Sequence, residues 1–209
     1  GVYFTVYGVG HLVELIGVIP MIQARDLHIQ RLCNDLVVGT FGRGIYILDD
    51  YSALREVNEE TLAGPARLFP LRPTPMFAEL SQVRSGWGDQ TEANPPFGAT
   101  LTYHVNEMVA GQPDLVIVIT DAEGERVRSL DLPDGVGVQR VTWDLRRDPP
   151  APPAGDRGDR GGRGGRGGRG RQGALVETGH YTAMIGVRGS DPFSGYGEPQ
   201  TILVIPLQR

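Results

Sequence analysis

Two adjacent carboxylates, Asp49 and Asp50, form the pair in this chain that most suggests acid–base chemistry. Glycoside cleavage uses two carboxyl groups about 5–9 Å apart, one giving a proton while the other acts as base or nucleophile. Neighbouring side chains on a continuous strand point to opposite faces, however, and Asp closing an apolar run is also the residue that caps a helix. Asp144 carries the same duality. Beside Trp143 it is either half of a sugar-binding pair or a turn acceptor next to a core indole. The capping and turn readings are the expectation for all three carboxylates, and no catalytic residue is assigned.

Other groups divide in the same way. His11, His28, His104 and His180 show no H-x-x-x-H or H-x-H spacing, so no metal ligand set is expected. Asp121, Glu123 and Glu125 imitate the opening of a calcium loop, but Arg126 stands where that loop needs Gly and Leu132 where it needs Glu. A hairpin turn is the reading. Gly162-x-Gly164-x-x-Gly167 matches a dinucleotide fingerprint by composition alone, with no strand entering and no helix leaving, and no cofactor is expected. Cys33 has no paired histidine. Arg157, Arg160, Arg163, Arg166, Arg169 and Arg171 lie in a run of Gly-Arg-Gly-Gly units, a series that can contact RNA or another polyanion through charge and backbone flexibility. A solvated loop expansion is the simpler account. Arg157-Gly158-Asp159 spells an adhesion tripeptide, yet it arises from the same repeat.

These residues need a frame, and the frame reads as β. Gly is abundant (30 of 209 residues) and so is Pro (16), which favours short strands and turns over long helices. The net charge of −5 argues against a nucleic-acid binder acting through overall charge. One cysteine excludes an intrachain disulfide, and no apolar run reaches the ~20 residues of a membrane span. The chain opens on Gly1 without a leader pattern, so it is expected to start mid-protein or after processing.

Asp35 to Asp50 reads as a hairpin, with Leu36-Val37-Val38 and Ile45-Tyr46-Ile47-Leu48 around a Gly42-Arg43-Gly44 reversal. Short strands precede it, Asp26–Gln30 among them. A short helix is expected from Asp50 to Val57, docked by Leu54 and Val57, with Glu59-Glu60 suiting the first turn of a continuation. Residues 56–98 read as a connector in which Ala66–Leu71 and Pro75-Met76-Phe77 can add an edge strand. From 99 to 209 six strands are expected: 100–105, 115–120, 126–130, 139–145, 179–187 and 201–205. Six strands with almost no helix suggest an immunoglobulin-like sandwich, and residues 149–172 lack the apolar side chains that ordering requires.

The hairpin residues Asp35-Leu36-Val37-Val38-Gly39-Thr40, Gly42-Arg43-Gly44 and Leu48-Asp49-Asp50, with Leu54-Arg55, resemble the closing blade of bacterial sortilin-like, BNR-repeat β-propellers, often labelled glycosyl hydrolases. Ala66-Arg67-Leu68-Phe69 and Asn94–Ala99 resemble the same family. Asp121-x-x-Gly124-x-x-Val127-Arg128, Val141-x-Trp143-Asp144 and Gly179-x-Tyr181-Thr182 are similar to the Ig-like domain of flagellar hook-capping proteins. The resemblance implies an all-β chain with closing-blade residues 1–55 ahead of the sandwich. It further implies an exported protein, secreted, periplasmic or cell-surface, whose partners are the remaining blades or another chain, with a glycan as a further candidate. Three functions follow from it or from the arginines: a non-catalytic accessory module, part of a hydrolase whose carboxylates lie on other blades, or a polyanion binder. One departure stands out. Where an Asp-box would fall, at Thr5–Leu12, Tyr7 replaces the Asp, Val9 the Gly and Leu12 the Trp, which predicts looseness over residues 6–11.

Overall fold

The computed structural model describes residues 3–4, 13–14, 23–31, 33–76, 96–110, 112, 114–150, 173–189, 193 and 195–206. The expectations for residues 6–11, His11 and the arginines 157–171 therefore lie outside the described residues. Among the described residues the structure is mostly β, and the chain divides into two compact units, Gly1–Gly64 and Pro65–Arg209.

The first unit contains a two-residue pair, β1 (Tyr3–Phe4) with β2 (Val13–Glu14), and a three-stranded antiparallel meander. The meander comprises β3 (Ala24–Gln30), β4 (Asp35–Thr40) and β5 (Ile45–Leu48). The β4–β5 hairpin forms where the sequence places it. Gly42 and Gly44 take φ of 76° and 77°, open to glycine without strain, and Thr40 N–H closes the turn on the Gly44 carbonyl at 3.1 Å. Register fixes the faces: Leu27 and Ile29 lie opposite Val38 and Leu36, which in turn lie opposite Tyr46 and Leu48. His28, Val37 and Ile47 share the other face.

After β5 the expected helix forms as two pieces. Tyr51–Arg55 is a 3₁₀ turn, and α1 (Glu59–Ala63) is a separate single turn. Asn58 divides them by capping α1: its side chain accepts from Thr61 N–H while Thr61 Oγ1 accepts from Asn58 N–H, both at 2.8 Å. Glu59 and Glu60 occupy the first turn as anticipated. The docking residues differ in one position. Val57 is buried, but its partner is Ala53, and Leu54 is only half-buried because the tighter 3₁₀ spacing turns Ala53 inward instead.

Among the described residues the second unit holds eight strands. β6 (Ala66–Leu68) and β7 (Thr74–Met76) come from the stretch read as connector and hydrogen-bond into its sheets. β8 (Ala99–Val105), β9 (Leu115–Thr120), β10 (Arg126–Asp131), β11 (Gly137–Trp143), β12 (Gly179–Val187) and β13 (Gly195–Pro206) are the six expected from sequence. One sheet runs β10-β9-β12-β13-β7, the other β11-β8-β6. The apolar run of β9 is flanked by strands on both sides, as continuous apolarity demands. Pro75 sits on the outermost strand β7, where its missing N–H costs no ladder bond. The sheets curl together where β6 nears β13, since a Cβ on Gly197 would stand 3.4 Å from the Ala66 carbonyl.

One core lies between the sheets. Leu101 and Tyr103 of β8, Ile117 and Ile119 of β9, Trp143, Ala183 and Ile185 of β12, and Ile202 of β13 are fully buried in it. β11 ends two residues earlier than the sequence pattern suggests. Leu145 takes φ +54° there and breaks the ladder, while its side chain stays in the core.

Candidate functional site

Asp50 is built into the strand end. Its backbone adopts φ 43°, its carboxylate caps the 3₁₀ turn by accepting from Ser52 N–H at 3.2 Å, and its own N–H donates to Asp35 Oδ1 at 3.0 Å. Tyr51 N–H donates to the Asn34 carbonyl at 2.8 Å, which ties the start of β4 to the end of β5 a second time. Asp49 is exposed beside it. Asp144, in the second unit, accepts from Arg146 N–H at 3.2 Å and shapes the turn after Trp143. Each carboxylate is thus engaged or presented locally. Asp121 is a hairpin residue as read: it accepts from Glu125 N–H at 2.8 Å, and Gly124 supplies φ +83°.

The connection that carries the arginine run is closed at its base. Arg147 N–H donates to the Ala174 carbonyl at 2.9 Å and Val176 N–H to that of Leu145 at 2.8 Å. The Arg146 guanidinium donates to the Gly173 carbonyl at 3.1 Å, and Trp143 Nε1 to the Arg146 carbonyl at 2.9 Å. Asp148 lies 3.7 Å from Arg126 Nε and Asp121 3.9 Å from Arg147; both pairs are largely solvated and contribute little. Residues 147 and 174 therefore meet whatever length of chain runs between them. Below this neck Trp143 meets Tyr181 edge to face with ring centroids 5.3 Å apart, and Tyr181 OH donates to the Glu177 carbonyl four residues upstream at 2.8 Å. Burial raises the pKa of the Tyr181 phenol and pushes that of Tyr103 up to about 12, so both stay neutral.

His104 is the titratable group that sequence reasoning passed over. Its register opposite Arg67 and Val138 places it on the outward face of β8, yet it keeps only 4% of its surface, and Nδ1 has no hydrogen-bond partner among the described residues. The alternation of Leu101, Tyr103 and Val105 already sets it on that face; its burial is not written in the pattern. Desolvation lowers its pKa below the ordinary 6.5. The unfolded chain consequently takes up this proton at higher pH than the folded one. Stability should be flat above neutrality and fall as pH drops through about 6.5, by at most about 1.4 kcal/mol per pH unit, until the folded-state pKa is passed. Urea titrations at pH 7.5, 6.5 and 5.5 measure this. In His104→Gln the part of the acid slope due to this residue should vanish, and an unchanged slope would assign the loss to other groups.

The surface with most to offer a partner is the β3–β5 sheet. Leu27 and Ile29 keep about half their surface on one face, while Ile45 and Ile47 keep 71% and 55% on the other, and Phe41 projects from the turn. An open concavity of about 1030 Å³ runs along Leu27–Arg31, and Tyr51 and Arg55 also line it. Arg55 donates to Tyr51 OH at 2.7 Å and lies 4.9 Å from the centre of its ring, a one-turn pairing visible in the four-residue spacing. No family model, curated protein or solved structure matches the chain.

Proposed function

We propose that the chain is a non-catalytic accessory module of an exported bacterial propeller protein of the sortilin-like, BNR-repeat type. On this reading β3–β5 belongs to a closing blade, and the second unit is an Ig-like sandwich that supports binding or attachment. The observation that carries it is the apolar exposure on both faces of one small sheet. A sheet facing water on one side alternates polar with apolar, whereas a layer between two others is apolar on both. Support for the Ig-like assignment comes from the strand order, in which β12 lies between β9 and β13, β8 lies between β11 and β6, and β7 joins β13 in parallel. The Tyr181 hydroxyl bonded back to Glu177 is the tyrosine corner of that architecture.

Hydrogen exchange on the whole chain tests the reading. Amides of β8, β9 and β12 should be protected at least a hundred-fold more than those of β3–β5, because a two-faced sheet without its neighbours opens locally. Equal protection would mean that the first unit is self-sufficient and not a blade in need of company. Turnover of aryl glycosides that falls on Asp49→Asn or Asp50→Asn would replace the module reading with a hydrolase.

A further inference from the structure

The faces of the β3–β5 sheet serve the module reading; its edge makes a separate statement. Among the described residues β3 pairs with β4 alone, and six of its seven residues are exposed. Its register with β4 is unbroken from Asp26 to Gln30, so a row of backbone donors and acceptors faces outward, in which the Leu27 N–H is met by Asp26 Oδ1 at 2.9 Å in the single copy. The concavity beside Leu27, Ile29 and Arg31 leaves room along that row.

We propose that this edge is occupied by β3 of a second copy of the chain, paired antiparallel about a two-fold axis through Leu27. The strand is self-complementary in that register. Leu27 faces the partner's Leu27, and Asp26 faces the partner's His28 twice over, a carboxylate against an imidazole that donates in either protonation state. Ile29 then faces the partner's Arg25, the residue bulged out of the β3–β4 ladder. Arg25 brings an apolar stem, and its guanidinium is already housed 4.7 Å from the centre of the Phe41 ring. Sliding the axis to His28 sets imidazole against imidazole and Arg25 against the partner's Arg31, and like groups directly opposed disfavour pairing. Pairing about a two-fold axis consumes the edge in each copy, which gives a closed dimer instead of a growing filament.

Cysteine trapping reads the register directly. In a Cys33→Ser background, Leu27→Cys should oxidise with diamide to a covalent dimer at micromolar protein, since cysteines directly opposed on antiparallel strands lie within reach of one another. Asp26→Cys and His28→Cys should each form no covalent dimer alone but cross-link when mixed. Sedimentation velocity gives the second readout. Asp26→His should weaken the dimer about ten-fold through the two lost pairs, and the swap Asp26→His with His28→Asp should restore it. A chain that sediments as a monomer at every concentration overturns the proposal. So does cross-linking that does not distinguish Leu27→Cys from His28→Cys. A dimer dissolved by Ile47→Asp but not by Leu27→Asp would place association on the sheet face instead.

Discussion

Alanine at Gly98 should remove much of the stability of the second unit. A Cβ there would stand 1.9 Å from the Trp143 carbonyl oxygen and 2.8 Å from its carbon, on a backbone with φ +124°. Both obstacles are main-chain atoms at the end of β11, so no side chain can swing away to accommodate the methyl group. Strained φ alone costs about 1–3 kcal/mol, and displacing β11 adds lost core packing, for a total of roughly 3 kcal/mol or more. Domains of this kind have only about 5–15 kcal/mol in hand. Gly124→Ala is the matched control. Its φ is also positive, at +83°, but nothing lies within 4 Å of the added Cβ, so its cost should be conformational only, about 1 kcal/mol. Urea midpoints measured for both variants decide the matter. Equal losses would show that backbone conformation, and not the close approach of Gly98 to β11, sets the cost.

Trp143→Ala should cost about 3–5 kcal/mol. The indole is fully buried, meets Tyr181 edge to face, and holds the Arg146 carbonyl through Nε1. Its loss opens a cavity between the two sheets and releases one bond of the neck. Trp143→Phe separates these contributions. A phenyl ring keeps much of the packing while leaving the Arg146 carbonyl without its donor, which puts its cost near 1–3 kcal/mol. If Trp143→Phe proves as damaging as Trp143→Ala, the hydrogen bond to the neck, and not the volume of the ring, dominates at this position.

Much of the strand inventory was legible because it rests on local rules. The run Leu115–Thr120 declared a strand covered on both sides, and Gly42-Arg43-Gly44 declared a reversal, since positive φ at those positions needs glycine. Trp143 was readable as a core indole from the Ig-like pattern around it. Other features depend on contacts that sequence order does not display. Ala66–Leu68 and Thr74–Met76 were readable as able to add an edge strand, but which sheet each joins appears only when β8 and β13 supply their hydrogen bonds. Leu145 reads as the last residue of a strand, and only the packing beneath Arg146 accounts for its left-handed backbone. The burial of His104 depends on what covers an outward face, which periodicity along β8 cannot specify. The concavity beside β3 was not legible, because it joins residues of β3 to Tyr51 and Arg55, more than 20 positions away in the chain.

The bonds that close the neck end on four backbone carbonyls, those of Ala174, Leu145, Arg146 and Gly173, and start from the amides of Arg147 and Val176 and the side chains of Arg146 and Trp143. Nothing in that set reads the identity of residues 151–172. The strictest local demand is for glycine at 173, where a Cβ would strike the Arg147 carbonyl at 1.8 Å. As far as these bonds go, the arginine tract can be lengthened, shortened or recoded while Gly173 stays fixed as the boundary stone.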